Sequence, residues 1–447
     1  MKLAVIGAGW AGLAAASELS HLGHEVHLFE SSRTPGGRAR KVKTEDLGCI
    51  DNGQHLLIGA YTQTLALIAR DVPESNQKRP LFLRSALWLE SADAQFRLKI
   101  NKAWPAIMQA PLALWLAKGL SVAEKWQASL FLRRVSLNQH PPPDDFTVSA
   151  WLKAERQTQP LMHWLWNPLC LASLNTAPEQ ASATLFHRVL KDSLTSPNPR
   201  ATDLLIPATD LTDLWPAHVA RKVTCHFGHT VRRVQPIKLG VQVDDKWFDG
   251  CVIATPASGL RRLFDEQTGN SLQFHLNAAD SMTYLPITTC YVDLEGPVQL
   301  PAPMLLLDHT GQAQCPGQWV FDRNAAKDDR YAQARLAFVI SDSQSELERS
   351  DHALAELLLT QLRRALETRY RKVVNLPGLK ATRSIHEKRA TFAAFPGLKR
   401  PETETPWPHL VFAGDWTNTG YPAVLEGAVR SGLSAAKAIQ KNIHKAH

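Results

Sequence analysis

Lys2-Leu3-Ala4-Val5-Ile6-Gly7-Ala8-Gly9-Trp10-Ala11-Gly12 opens the chain, an apolar run that leads straight into G-x-G-x-x-G. It predicts a strand, a tight turn and a helix over the alanine-rich stretch Leu13 to Leu22, closed by Gly23. Glu25-Val26-His27-Leu28-Phe29 reads as a second strand, with Glu30 at its end. Together they make a βαβ unit of about 30 residues, the arrangement that cradles a dinucleotide. Gly7 is expected to make the turn and Gly9 to let the backbone approach a pyrophosphate. Gly12 is expected to let the helix pack close to the strand. The loop Gly7, Ala8, Gly9, Ala11, Gly12 then turns its N–H groups toward the diphosphate. Glu30 is placed to accept hydrogen bonds from a ribose diol and to repel a 2′-phosphate, which disfavours NADP.

The run after Glu30 separates flavin from nicotinamide. In Ser31-Ser32-Arg33-Thr34-Pro35-Gly36-Gly37-Arg38, the pair Gly36 and Gly37 can bring N–H groups to a diphosphate, and Arg38 can neutralise its charge. At the other end, Leu410-Val411-Phe412-Ala413-Gly414-Asp415-Trp416 reads as a strand ending in Gly-Asp. A turn at Asn418 to Pro422 comes next, and then a helix from Ala423-Val424-Leu425 onward. That helix start can point N–H groups at a flavin carbonyl and ribityl chain, and Asp415 can accept from a ribityl hydroxyl. The two signatures closely resemble the FAD-dependent amine oxidase and carotenoid desaturase superfamily, nearest its plant-type phytoene desaturase branch. Three further short strands are expected at Val231 to Val234, Gly240 to Val243 and Phe248 to Pro256. In the superfamily such a meander returns to the cofactor domain, which implies that Val231 touches the adenine and that Ala254, where the last strand closes, lies at the cofactor.

Composition fits a large globular enzyme. The chain has 447 residues, 44% apolar and 21% charged, which predicts two domains and a sizeable core. Six cysteines and seventeen histidines show no C-x-x-C or zinc spacing, so reduced thiols and no metal are expected. The first strand begins at residue 2, leaving no room for a signal peptide, and a cytoplasmic location is expected. The formal charge of +8 admits nucleic acid, an anionic membrane surface, or no charged partner at all. No nucleic-acid module accompanies it, and no nucleic-acid partner is expected.

Residues 75 to 200 read mostly helical. Within them Ala103 to Ala117 carries no charge and two tryptophans, Trp104 and Trp115. It is too short to span a bilayer and is broken by Pro105 and Pro111. Lys99, Lys102, Lys118, Lys125, Arg133 and Arg134 flank it. Two readings stand: an interfacial element on anionic lipid at the inner face of the cytoplasmic membrane, or a buried helical hairpin around the substrate cavity. The expected fold is α/β. A discontinuous Rossmann-like FAD-binding domain takes residues 1–74, 201–262 and 396–447. An α+β substrate domain with a mixed sheet takes 263–395, and a helical, substrate- or membrane-facing insertion takes 75–200.

Two runs narrow the resemblance: Ile50-Asp51-Asn52-Gly53-Gln54-His55 and Ile385-His386-Glu387-Lys388-Arg389-Ala390-Thr391-Phe392. With the Gly-Asp-Trp-Thr tail they resemble the hydroxysqualene dehydroxylases, the squalene-associated FAD-dependent desaturases of bacterial hopanoid synthesis. The resemblance implies non-covalent FAD, with Gly53, Gln54 and His55 beside it. It implies reductive loss of the hydroxyl of hydroxysqualene to give squalene, with hydride from flavin N5. The implied partners are a C30 isoprenoid substrate and an electron donor to FAD. His55 can serve as an acid near neutral pH, and Glu387 and Arg389 can orient or donate. Three rivals stay open. A carotenoid or terpenoid desaturase would remove hydride instead, an amine oxidase would take a polar amine, and a flavin-binding scaffold would turn nothing over.

Overall fold

A computed structural model describes residues 1–73, 80–308, 314–325 and 333–446. Its centre is a five-stranded parallel sheet in the order Thr224–Phe227, Glu25–Glu30, Lys2–Ile6, Gly250–Ile253, Leu410–Phe412. The first strand of the chain is therefore the middle one, with Val5 opposite Leu28 on one side and Val252 on the other. Leu3, Val5, Leu28 and Val252 face one core and Ala4, Ile6, Phe29 and Ile253 the other, the two-sided burial that parallel sheets require. Helix Trp10–His21 packs on helix Leu425–Ala446. A Cβ at Gly432 would lie 2.1 Å from the Ala11 carbonyl oxygen, so the two helices meet backbone to backbone.

Polar groups lock this layer. The buried Asp71 carboxylate accepts from Ser17 Oγ at 2.6 Å and Trp215 Nε1 at 3.0 Å, with Arg70 and Lys222 beside it. Burial pushes its carboxyl up, but these hydrogen bonds win and hold it below the ordinary value. The buried Glu426 accepts from the N–H groups of Gln63 and Thr64 in the first turn of helix Thr62–Asp71, which caps that helix from another element.

The second sheet is antiparallel, in the order Met304–Leu306, Trp319–Asp322, Arg335–Ser341, Tyr284–Leu294, Leu379–Phe392. Its alternation is clean. Cys290, Val292, Phe338, Ile340 and Val320 pack with Leu354, Leu358 and Leu362 of helix Asp351–Tyr370. Thr289, Val339, Trp319 and Phe321 face the other way, into a cavity.

Several expected elements differ. The described part of residues 75–200 begins with strands, not helices: Phe82–Ser85, Trp88–Glu90 and Arg97–Lys99. Phe82–Ser85 pairs with Leu204–Pro207 and Trp88–Glu90 with Arg97–Lys99. The expected boundary at 74/75 lies outside the described residues. Val231 to Val234 is not a strand. The Asp244 carboxylate takes the N–H groups of Arg232 and Arg233 at 2.9 and 3.0 Å, and the ladder starts only at Val234. The run from Phe248 is two strands: Lys246–Phe248 closes the meander, and Gly250–Ile253 enters the parallel sheet.

The 103–117 segment joins features of both expectations. Helix Ala106–Trp115 and the helix Val122–Ser136, started by a Ser121/Glu124 capping box, form a hairpin. Ala110, Ala113 and Leu114 are buried, whereas Ile107, Leu116, Val122 and Trp126 are 77%, 69%, 69% and 56% exposed. Among the described residues, no helix is long and apolar enough to cross a membrane.

Candidate active site

The glycine loop behaves as its spacing requires. Gly7 has φ +103°, and a Cβ there would sit 2.6 Å from the Ala254 carbonyl oxygen. A Cβ on Gly12 would lie 1.9 Å from the Gly7 carbonyl oxygen, so only glycine lets this helix start so close to the strand. A Cβ on Gly9 would meet nothing within 4 Å, because it would point into open space at the cavity. A second glycine turn closes on the first. Gly36 N–H donates to the Ala8 carbonyl, and a Cβ on Gly37 (φ +60°) would lie 2.9 Å from Gly9 Cα.

These turns form one end of a cavity of about 670 Å³. Of the residues expected at the cofactor, Gly7, Gly9, Ala11, Glu30, Gly36, Gly37 and Arg38 line it. So do Gly53, Gln54, His55, Val231, Ala254, Gly414, Asp415, Val424 and Leu425. Ala8 and Gly12 do not. Ala8 spends its N–H on Glu30 Oε2 (2.7 Å) and its carbonyl on Gly36, and Gly12 faces the Gly7 carbonyl. Both shape the loop from behind rather than face a ligand.

Glu30 holds the rim. Its Oε1 also takes Ser32 N–H at 2.7 Å, which leaves further lone pairs for ribose hydroxyls. Arg38 joins the chain's two signatures. Its Nη2 donates to both Asp415 oxygens at 2.7 and 2.6 Å, and its Nη1 to the Ala390 carbonyl at 2.5 Å. The Arg38 charge is thus already matched by a carboxylate, and the pair presents itself to the cavity as a unit. Gly414 carries the adjacent strain, with φ +148° and no room for a Cβ against the Trp416 indole. Helix Leu425–Ala446 starts at this end, where its N-terminal N–H groups suit an electron-rich carbonyl.

Two buried polar atoms on the cavity wall, Gln54 Oε1 and Thr255 Oγ1, have no partner among the described residues. On a cavity wall, unpartnered buried polar atoms are free to take hydrogen bonds from a ligand. With the glycine cradle, Glu30 and the Arg38–Asp415 pair, they fit a flavin dinucleotide.

The expected catalytic residues separate. His55 Nδ1 lies 2.9 Å from the Gly53 carbonyl, which can only accept, so Nδ1 carries the proton and Nε2 is bare in the neutral ring. Burial, helped by the charges of Arg38 and Arg323, pulls this imidazole below its ordinary value despite that hydrogen bond. Glu387 also lines the cavity, and its Oε2 accepts from Asn52 Nδ2 at 3.1 Å. Arg389 does not line it. Strand alternation from Ile385 and Glu387 would bring it in, but a register shift intervenes: Ile287 pairs with Glu387 and Leu285 with Thr391. The two extra residues turn Arg389 outward to Ser258 Oγ at 3.0 Å, in a separate cleft with Lys388 and Asp280.

The rest of the cavity is apolar. Its floor is the second sheet, and helices Asn167–Leu174 and Ala183–Ser193 supply the facing wall through Leu169, Val189 and Leu190. These wall residues and His229, Thr289 and Trp319 were not expected from motifs, and Asn52 lies within the Asp51-to-His55 run without being singled out there. For Thr289 and Trp319, period-two alternation in two short apolar runs is the only signal. For His229 and the helix residues there is none, because a core-facing and a cavity-facing residue look alike in sequence.

Known proteins share this plan. Hydroxysqualene dehydroxylase of Rhodopseudomonas palustris is 29% identical, with 97% of this chain and 96% of that protein covered. Hydroxysqualene dehydroxylase of Zymomonas mobilis is 27% identical, with 97% of each covered. The crystal structure of an oxidoreductase from Methanosarcina mazei superimposes with a TM-score of 0.72 at 16% identity, covering 98% of this chain and 100% of that one, which shows the shared fold. The profile described as "Flavin containing amine oxidoreductase" matches residues 10–440. The protein is an FAD-dependent oxidoreductase, and the chain belongs to the family of flavin-containing amine oxidoreductases.

Proposed function

We propose that this enzyme removes the hydroxyl of hydroxysqualene reductively, giving squalene and water, and that it binds FAD without a covalent link. The observation that carries the reading is the composition of the cavity. A complete dinucleotide cradle opens directly onto a slot whose floor and wall are apolar side chains. The two hydroxysqualene dehydroxylases that align over nearly the whole chain support the substrate class. A carotenoid desaturase would fit the same slot, with electron flow reversed.

Reduced FAD, when bound, supplies the hydride. The chain's own task is to release the hydroxyl and shield the cation that remains. An unassisted hydroxyl leaves poorly; protonated, it leaves as water, and an allylic or cyclopropyl-stabilised cation results. In this scheme His55 delivers that proton. With Nδ1–H fixed on the Gly53 carbonyl, a proton taken up at Nε2 is the one presented to the cavity. Because burial and the charges of Arg38 and Arg323 lower its proton affinity, the imidazolium, once formed, gives up its proton more readily than an ordinary one. Glu387, steadied by Asn52, places a negative charge on the same wall, where it can stabilise the imidazolium or the developing cation. The apolar walls keep water from trapping that cation. Arg389 has no direct part in this scheme.

We further place the enzyme on a cytoplasmic membrane surface through its exposed apolar hairpin. Charge contributes less than the sequence implies. Lys102 is bound to Asp203, Lys125 to the Trp115 carbonyl and Arg134 to Glu155, and Lys99 lies over Trp88. The exposed Ile107, Leu116, Val122 and Trp126 are what a bilayer would take up. An electron donor to FAD completes the scheme as a partner.

The test is anaerobic single-turnover mixing. Photoreduced enzyme should be oxidised by hydroxysqualene with squalene formed, and His55→Ala should keep FAD but slow this by about 10²–10⁴-fold. Reduced flavin unchanged by hydroxysqualene, with oxidised flavin bleached by phytoene, would make the protein a desaturase.

A further inference from the structure

We propose that Trp319 is the residue that sets how long a chain the cavity accepts. The inference rests on the reading of the slot as a site for an acyclic isoprenoid. The second sheet lays one straight row of side chains across the slot. Ile385 is in register with Thr289, Thr289 with Val339, and Val339 with Trp319. All four line the cavity. The row begins beside the cofactor: Thr289 Oγ1 takes the N–H of Gln54, and Ile385 is two residues from Glu387 on the same strand. It ends three strands away, roughly 14 Å at the usual inter-strand spacing.

The next register partner beyond Trp319 is Leu306, which is buried but does not line the cavity. The row leaves the slot at the indole. Behind Leu306 the sheet is closed by the 88–92 segment, whose Ala92 N–H donates to the Leu306 carbonyl, while Leu89 lines the slot. Phe321, Met304, Leu87 and Leu89 share this end of the cavity, and the Trp319 indole, the largest of these side chains, stands in line with the row with that backbone frame behind it. Removing the indole would lengthen the slot along its axis and leave its width, which the helices 167–174 and 183–193 fix, unchanged. An apolar chain has no polar group by which a protein can count its units, so length must be read by a hard stop of this kind.

The experiment titrates FAD-loaded enzyme with acyclic isoprenoid alcohols of C20, C30 and C40 and tracks perturbation of the flavin absorbance. Wild type should respond to C20 and C30 and bind C40 on the order of tenfold more weakly or worse. Trp319→Ala should bring C40 to within about twofold of C30, and Trp319→Phe, which keeps the bulk, should behave as wild type. Val339→Phe moves the stop one strand toward the flavin, roughly 5 Å, so it should weaken C30 relative to C20; it decides the matter if Trp319→Ala fails to fold. A Trp319→Ala protein that holds FAD, binds C30 and still rejects C40 overturns the proposal, as does a Val339→Phe protein with the wild-type cutoff. If the cutoff moves as stated but hydroxysqualene is not converted, the dehydroxylation falls and the length stop stands. If no alcohol perturbs wild-type flavin, both fall.

Discussion

The two ends of the cavity are made of different material. At the cofactor end the shape is backbone: Gly7, Gly12, Gly37 and Gly414 sit where a Cβ would meet atoms at 2.6, 1.9, 2.9 and 2.2 Å. At the far end the shape is side chains on a regular sheet, Val339, Trp319 and Phe321 standing up from strands that hydrogen-bond normally. Backbone surfaces tolerate almost no substitution, whereas a side-chain surface can be recut one residue at a time. One end is fitted to a fixed cofactor, and the other can change substrate without disturbing the first.

The largest expected effects test the claim that the cofactor end is backbone. Gly12→Ala should destabilise the protein by about 3 kcal/mol or more even without FAD, since its Cβ would overlap the Gly7 carbonyl. Gly9→Val should abolish FAD binding yet leave the apoprotein's melting temperature nearly unchanged, because its Cβ direction is open. Equal losses of apoprotein stability in the two variants would erase the distinction. Glu30→Ala should weaken FAD binding by about 1.5–3 kcal/mol, the range for hydrogen bonds to a charged group. Part of that loss is loop order, because Glu30 also holds the Ala8 and Ser32 N–H groups, and calorimetry on apoprotein would apportion it.

The seam between the two ends carries a pH signature. Asp51 accepts from Leu211 N–H in the cofactor layer and lies 3.5 Å from Arg323, beside the far sheet. Burial pushes its carboxyl up to about 6 from an ordinary 3.8, against the pull of Leu211 and Arg323. Between those values the native state holds a proton that the unfolded chain has lost. This group's contribution is therefore greatest at the acid side and falls as pH rises from about 4 through 6. Asp51→Asn should stabilise the protein relative to wild type at pH 7, by no more than about 3 kcal/mol, and the advantage should vanish near pH 4. Denaturant midpoints at the two pH values check the sign. The smallest effect concerns the hairpin. Liposome flotation should change less than about twofold with salt, while Ile107→Ser with Leu116→Ser should weaken it about tenfold or more. Strong salt dependence would restore charge as the main attraction.

Legibility in the sequence divides along the same line. The cofactor end was legible because φ above zero and close backbone approach restrict positions to glycine and leave a fixed spacing, from Gly7 through Gly37 to Gly414. The strands Lys2–Ile6, Glu25–Glu30 and Leu410–Phe412 were legible for the same reason, since they lead toward those turns, whereas the edge strand Thr224–Phe227 carried no such mark. The far end left no such trace. Trp319 and Phe321 look like any buried pair on a strand, and the strands 82–85, 88–90 and 97–99 are too short to show a period. Arg389 shares its run with Glu387, and nothing in Glu387 to Thr391 announces the register shift that turns it away from the cavity. Val231 was placed at the cavity for the wrong local reason: it lies in a loop held by Asp244, not on a strand.

The ion pair between Arg38 and Asp415 sets a limit on when this protein can become an enzyme. Its partners come from opposite ends of the chain, as do the central strand Lys2–Ile6 and the edge strand Leu410–Phe412 of the parallel sheet. On a ribosome, the glycine loop emerges roughly 20–80 s before Gly414-Asp415 at ordinary elongation rates. Throughout that interval the cradle is half built, and the central strand lacks its neighbour Gly250–Ile253 for more than half of it. FAD capture is then a late, whole-chain event. A chain shortened before residue 410 should yield a protein with no affinity for FAD, however intact its opening motif.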